Sequence, residues 1–247
     1  DGDKMTRAGL SCISTAYYML PSFIYQAGGN FFDLESGKWS FATPEGEAAL
    51  KRIYDLIYTD KTASLDLAAS DGDGFYDETI STNSTGAYLA ASALGGPQDR
   101  KSAVVPLPTF AGAAQDVVSP VNLAVLTLSR RLQKDDTKLQ HCVGIVNQLM
   151  SADALIDITN SYSGVLCSPQ LYADPRIEST AFGPLSKRVA EGTFSRTKFP
   201  QGRVANFGPA ITEVERALHN EISLMDALKN VDDYCNEQEQ QAGERLG

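Results

Sequence analysis

Residues 25–58, YQAGGNFFDLESGKWSFATPEGEAALKRIYDLIY, constrain the fold most, because their punctuation leaves few options. Gly28 and Gly29 end whatever helix precedes them, since glycine takes left-handed backbone angles without strain. Phe31, Phe32, Trp39 and Phe41 predict two short strands around a Glu35-Ser36-Gly37 turn. Thr43 is placed to cap a new helix, with Pro44 in its first turn and Glu45 and Glu47 at its positive end. Leu50, Ile53 and Ile57, with Ala49 and Leu56 beside them, repeat at helical spacing and predict one buried face.

The rest of the chain can supply what that face packs against. A chain of 247 residues with 43% hydrophobic content can bury a sizeable core, in one large domain or two small ones. A formal charge of −10 argues against nucleic acid as a partner and offers no attraction to an anionic membrane. Solubility is the simpler meaning of that charge. Cys12, Cys142, Cys167 and Cys235 are widely spaced with no C-x-x-C pair, which argues against zinc or a thioredoxin-like site. Disulfides in an oxidising compartment stay open, although Cys142 and Cys235 read as small core residues within helical patterns. No apolar run approaches a membrane span, and no leader opens the sequence, so an export signal would have to be removed or lie outside it. No solenoid-type repeat is visible.

Taken in order, residues 1–24 read as a polar loop followed by an apolar helix interrupted at Pro21. Residues 59–70 read as a polar link, and 71–88 as a solvated loop leading into a short helix. Asp71, Asp73, Asp77 and Glu78 hint at calcium, but Phe75 and Thr82 break the EF-hand pattern. Residues 86–92 and 104–108 are predicted strands, the second ended by Pro106 and Pro108; a Gly-Ala turn and a further apolar strand around Leu123 to Leu126 follow. Asp135 or Asp136 should cap a helix carrying Leu139, Val143, Val146 and Met150, and Ser151 the next one. Asp174-Pro175 reads as a helix start. Ile211, Val214 and Leu218 form a helical stripe; Ser223 caps a last helix with Ala227, Leu228, Val231 and Cys235 inward, and a frayed tail is expected after Asn236.

An apolar helix, Gly28-Gly29, an aspartate hairpin and Pro44-Glu45 followed by Ala49-Leu50 together resemble the extracellular solute-binding proteins of bacterial ABC importers, family 1, the maltodextrin or sugar-binding type. Val104-Val105-Pro106-Leu107-Pro108 resembles that family's crossing between lobes, and Asp174-Pro175-Arg176-Ile177 its Asp-Pro-x-Ile helix start. The resemblance spans about residues 9–240 and matches only the later part of the family. It implies an α/β, type II periplasmic-binding-protein-like two-lobe fold, of which mainly the C-terminal lobe is present. Residues 1–107 and 166–247 would build that lobe, and 108–165 would be a returning segment of an N-terminal lobe whose remainder is absent. The chain thus reads as a C-terminal fragment.

By the same resemblance, Tyr18, with Tyr17 one step away, takes the place of a sugar-stacking aromatic. The physical case is that an aromatic face packs on a sugar's C–H face while the phenol hydrogen-bonds; core packing is the other reading of both tyrosines. Ser92, Ser119, Asn122, Gly164, Asn206 and Phe207 fall on the implied cleft loops. Ser92 stands where many sugar binders carry tryptophan, which points to a smaller ligand.

The implied activity is capture of a small solute, best a carbohydrate, by hinge closure, and its delivery to ABC transporter membrane subunits. It implies no cofactor or metal, no nucleic acid, no membrane span, and a periplasmic or extracellular place, with a lipid anchor compatible in the precursor. A sensor or interaction module on the same fold is the alternative. So is a binder of glycerol-phosphate-type ligands, although Arg203 alone is basic in the implied loops. Catalysis is not expected: His141 and His219 are the only histidines, and G-x-S-x-G, H-E-x-x-H, P-loop and dinucleotide fingerprints are absent.

Overall fold

A computed structural model of the chain describes residues 5–11, 19–33, 35–67, 80–82, 109–115, 127–162, 168–171, 174–178 and 208–246. Along these run β1 (Ala8–Ser11), α1 (Leu20–Gln26), β2 (Phe32–Asp33), β3 (Lys38–Trp39), α2 (Pro44–Tyr58), β4 (Ala63–Ser64) and β5 (Ile80–Thr82). Then follow α3 (Asp136–Leu149), α4 (Ala152–Tyr162), α5 (Pro175–Glu178), α6 (Gly208–Leu218) and α7 (Leu224–Leu246). The chain divides into two compact units. One comprises Asp1–Thr85, Leu107–Pro120 and Ser195–Gly247, the other Gly86–Pro106 and Val121–Phe194.

In the first unit a three-stranded parallel sheet runs β4-β1-β5, with Leu10 paired to Ala63 on one side and to Thr82 on the other. Parallel neighbours need a long crossover, and α1, the hairpin and α2 supply it between β1 and β4. This sheet corrects the sequence reading in three places. The loop before α1, the polar link after α2 and the segment read as loop entering a helix each hold a strand. The strands are two to four residues long, too short for alternation to register. Pro21 lies in the first turn of α1, and residues 12–18 before it lie outside the described residues.

The hairpin forms as its residues dictate, with Phe32 opposite Trp39 and Asp33 opposite Lys38. Gly37 takes φ +68° at the turn, where other side chains would be strained. Thr43 Oγ1 accepts the Gly46 N–H at 3.0 Å and starts α2, whose Ala49, Leu50 and Ile53 are buried. Phe31 lies at the centre of an aromatic stack: its ring is 5.1 Å from Phe41 at 18°, 6.3 Å from Trp39 at 16°, and edge-on to Tyr25 at 5.1 Å. Phe23, Ile24, Leu50, Ile53, Val214, Leu218, Leu228 and Val231 close one core around it.

Helix α7 holds the hairpin by its edge. Asp232 accepts the N–H groups of Phe41 (2.5 Å) and Ala42 (2.9 Å). One turn on, Asn236 accepts the Trp39 N–H at 2.8 Å and donates to the Trp39 carbonyl at 3.0 Å. The amide thus mimics a β-ladder partner for a strand edge. Burial pushes the Asp232 carboxyl above its ordinary pKa, only partly offset by the two N–H donors. Between α6 and α7, Asn220 sits at φ +62° and accepts the Tyr54 phenol, while the Tyr58 phenol donates to the Leu218 carbonyl at the end of α6. Ser223 caps α7 through the Asp226 N–H, and Ala227, Leu228, Val231 and Cys235 are buried as expected. Burial pushes the Cys235 thiol up to about 12. The expected fraying after Asn236 does not occur: α7 continues to Leu246, with Gln241 bonded to Glu237 and Gln240 to Glu244.

In the second unit the described residues are those of α3, α4 and α5 and the turns beside them. Asp135, of the two candidates, caps α3 by accepting the Lys138 N–H. Ser151 accepts the Ala154 N–H at the start of α4. Asp174 accepts the backbone N–H of Arg176 in α5, and the Arg176 guanidinium reaches both Asp174 and Asp153 at 2.8 Å. These hydrogen bonds from Arg176 hold the Asp174 carboxyl at about 2. Among the described residues Ile156 and Ile177 are the buried apolar pair here, backed by Leu155 and Leu171. The stripe on α3 makes a helix, yet no α3 residue is buried, and Cys142 is half-buried rather than a core residue.

Candidate functional site

Two elements of the first unit lead directly out of the segments where ligand contacts are implied. Helix α1 begins two residues after Tyr18, and α6 begins immediately after Phe207. Both are fixed by core residues: Leu20, Phe23 and Ile24 on α1, Ala210, Val214 and Leu218 on α6. Rigid neighbouring elements are what a binding constellation needs, because a loosely held side chain loses geometry and affinity together.

The end of α1 anchors a third segment. Gln26 is fully buried; its side-chain oxygen accepts the Phe110 N–H at 3.0 Å, and its carbonyl accepts the Ala114 N–H at 2.7 Å. Phe110 packs edge-on against Phe23 at 5.6 Å. Gly28, at φ +86°, stands so close to Ala114 that a Cβ would lie 3.3 Å from the alanine methyl. The expected Gly-Ala turn forms here, with Gly112 at φ +81°. A fully buried glutamine with its acceptors committed to a neighbouring chain segment fixes that segment's position. The sequence reading did not single out Gln26. Its signal was weak, a lone polar residue at the end of an apolar helix.

The residues implied as ligand contacts, Tyr17, Tyr18, Ser92, Ser119, Asn122, Gly164, Asn206 and Phe207, all lie outside the described residues, as do Cys12, Cys167 and Arg203. By position in the chain, Tyr17, Tyr18, Ser119, Asn206 and Phe207 belong to the first unit, and Ser92, Asn122 and Gly164 to the second.

Elsewhere, a groove of about 610 Å³ lies along α7 beside the hairpin turn, lined by Gly37, Lys38, Glu237, Glu239 and Gln240. Its rim is polar and its aromatic neighbours face the core, so it lacks the apolar lining of a small-molecule pocket. His141 and His219 are both exposed. Among the described residues no three His, Cys, Asp or Glu side chains are grouped to hold a metal ion, and no helix is long and apolar enough to cross a membrane.

No protein-family profile matches the sequence, and no curated protein sequence matches it. Solved structures do match. The sugar-binding protein MalE from Xanthomonas citri superimposes with a TM-score of 0.73 at 12% identity, over 99% of this chain and 61% of that one. The cyclic alpha-maltosyl-1,6-maltose binding protein from Arthrobacter globiformis gives 0.71 at 17% identity, over 97% and 61%. The GacH receptor of Streptomyces glaucescens, solved unliganded and with acarbose, gives 0.70 at 19% identity, over 96% and 61%. Such low identities carry the fold and nothing finer. The chain spans about three-fifths of the length of these binding proteins, and its fold is that of the type II periplasmic sugar-binding proteins, present in part.

Proposed function

We propose that this chain is part of a carbohydrate-binding component of a bacterial ABC importer, acting in the periplasm or outside the cell and presenting its solute to the transporter's membrane subunits. The observation that carries this reading is the superposition of nearly the whole chain on binding proteins from three bacterial genera, among them a sugar-binding protein and a maltosyl-maltose binder. The motif resemblance, from the Gly28-Gly29 hairpin to Asp174-Pro175, supports it independently of coordinates. In this reading residues 1–107 and 166–247 are one lobe and 108–165 the returning part of the other. Tyr17, Tyr18 and Phe207 offer aromatic faces, Ser92, Ser119, Asn122 and Asn206 hydrogen bonds to hydroxyls, and Gly164 a close backbone approach. No catalytic step is assigned.

Calorimetric titration of maltotriose, cycloalternan and tagatose into the protein isolated at its native length from producing cells tests the proposal, with glycerol 3-phosphate as the contrasting ligand. At least one sugar should give saturable heat, and Tyr18→Ala or Phe207→Ala should weaken it about tenfold, the worth of one aromatic contact. Folded protein giving no saturable heat with any of the sugars would overturn it. Heat with glycerol 3-phosphate alone would overturn the carbohydrate assignment.

A further inference from the structure

We infer that Gln26 is a positioning residue: through it residues 109–115, a strap that the chain enters from the second unit and leaves for the second unit, open and close as one body with α1. The strap's attachment needs no ligand. Only its consequence for a closing protein rests on the reading above.

The order of the chain makes the strap unusual. It belongs to a short return visit to the first unit, Leu107–Pro120, between two longer runs through the second, Gly86–Pro106 and Val121–Phe194. Its own side chains give it little hold. Thr109, Ala111, Gly112, Ala114 and Gln115 are exposed, and Phe110 and Ala113 are half-buried. Within it the Ala113 N–H donates to the Phe110 carbonyl at 3.2 Å, closing a turn at Gly112 with φ +81°. A turn with so few buried contacts belongs to the low-stability end of a fold unless something else secures it.

Gln26 supplies that hold. It is fully buried at the last position of α1 and turns two acceptors toward the strap. The side-chain oxygen takes the Phe110 N–H at 3.0 Å and the main-chain carbonyl takes the Ala114 N–H at 2.7 Å, so the turn is gripped on both sides. The Phe110 ring adds an edge-on contact to Phe23, one turn back on α1. Leu20, Phe23 and Ile24 sit in the core, so α1 gives the strap a fixed support. Gly28, at φ +86°, lets the chain leave α1 directly beneath Ala114. A buried amide is costly to leave unpaired, so glutamine and strap hold each other. In a binding protein whose units close over a solute, the strap then travels with α1, and bending is left to the chain on either side of it.

Amide hydrogen exchange read by NMR on the 247-residue chain tests the attachment without any sugar, so its failure and a failure of carbohydrate binding are separable. In the unaltered protein the amides of Phe110 and Ala114 should open together with that of Gly29, which bonds to the Ile24 carbonyl of α1, their protection agreeing within about threefold. Gln26→Met keeps the length of the side chain and removes the acceptor. It should speed exchange at Phe110 and Ala114 at least about tenfold, while Leu50 and Val231 in the core change by less than about threefold. Gln26→Glu restores an acceptor oxygen and should bring the strap back to within about threefold of the unaltered rates. Strap amides that exchange like free peptide in the unaltered protein overturn the inference, whether or not either variant folds. So does Gln26→Met that leaves the strap unchanged or speeds strap and core alike, and so does Gln26→Glu that exchanges as fast as Gln26→Met.

Discussion

Replacing Gly46 with alanine should destabilise the protein by about 3 kcal/mol or more, against the usual trend for a helix interior. Elsewhere in a helix the change from glycine to alanine gains about 1 kcal/mol. At Gly46 the added Cβ would run into the Phe41 carbonyl oxygen and crowd its carbon. That carbonyl cannot retreat easily. The Phe41 N–H is held by Asp232, the ring is in the aromatic stack, and the Thr43 N–H donates to the same oxygen. Gly243→Ala is the matched control, since a Cβ there meets nothing within 4 Å. Urea unfolding followed by the emission of Trp39, the only tryptophan, should give a much lower midpoint for Gly46→Ala and an equal or higher one for Gly243→Ala. Equal midpoints for Gly46→Ala and the parent chain would mean that the packing around Phe41 is wrong.

Phe31→Ala should cost about 3–5 kcal/mol, the range for deleting a buried aromatic side chain. Phe31 is fully buried and touches Tyr25 of α1, Trp39 of β3 and Phe41 just beyond it. A cavity there loosens α1, the hairpin and α7 together, so Trp39 emission should shift to the red even below the unfolding transition. Leu149→Ala, on the exposed side of α3, should change the same midpoint by no more than about 0.5 kcal/mol. A Phe31→Ala protein as stable as the parent would show that the stack is not the centre of the first unit.

The parts of this fold that were legible in the sequence are those set by local chemistry. Thr43, Asp135, Ser151 and Ser223 each cap the helix their side chains predict, and Gly28 and Gly37 turn where a left-handed residue is needed. The inward face of α7 follows from spacing alone, Ala227 to Cys235. Non-local pairing was not legible. β1, β4 and β5 find one another across crossovers, and each is too short to carry a pattern. The α7 extension past Asn236 was missed because its support is polar: glutamine–glutamate pairs one turn apart rather than an apolar stripe. On α3 the stripe predicted a helix correctly, while Cys142, read as a core residue, is only half-buried, since periodicity reports which side is apolar and not whether anything covers it. The implied ligand contacts lie outside the described residues, and resemblance rather than capping or periodicity pointed to them.

The central claim is that α2 and α7 pack into one closed core, whereas α3 carries an apolar side with no buried residue. Amide hydrogen exchange on the 247-residue chain tests it most directly. Core amides of α2 and α7, around Leu50, Ile53, Leu228 and Val231, should exchange only on global unfolding, about 10⁴-fold or more slower than free peptide. Those of α3, from Leu139 to Leu149, should be slowed by no more than about 10²-fold, as expected of a helix without a buried face. Protection of α3 equal to that of α7 in the monomeric chain would contradict the account.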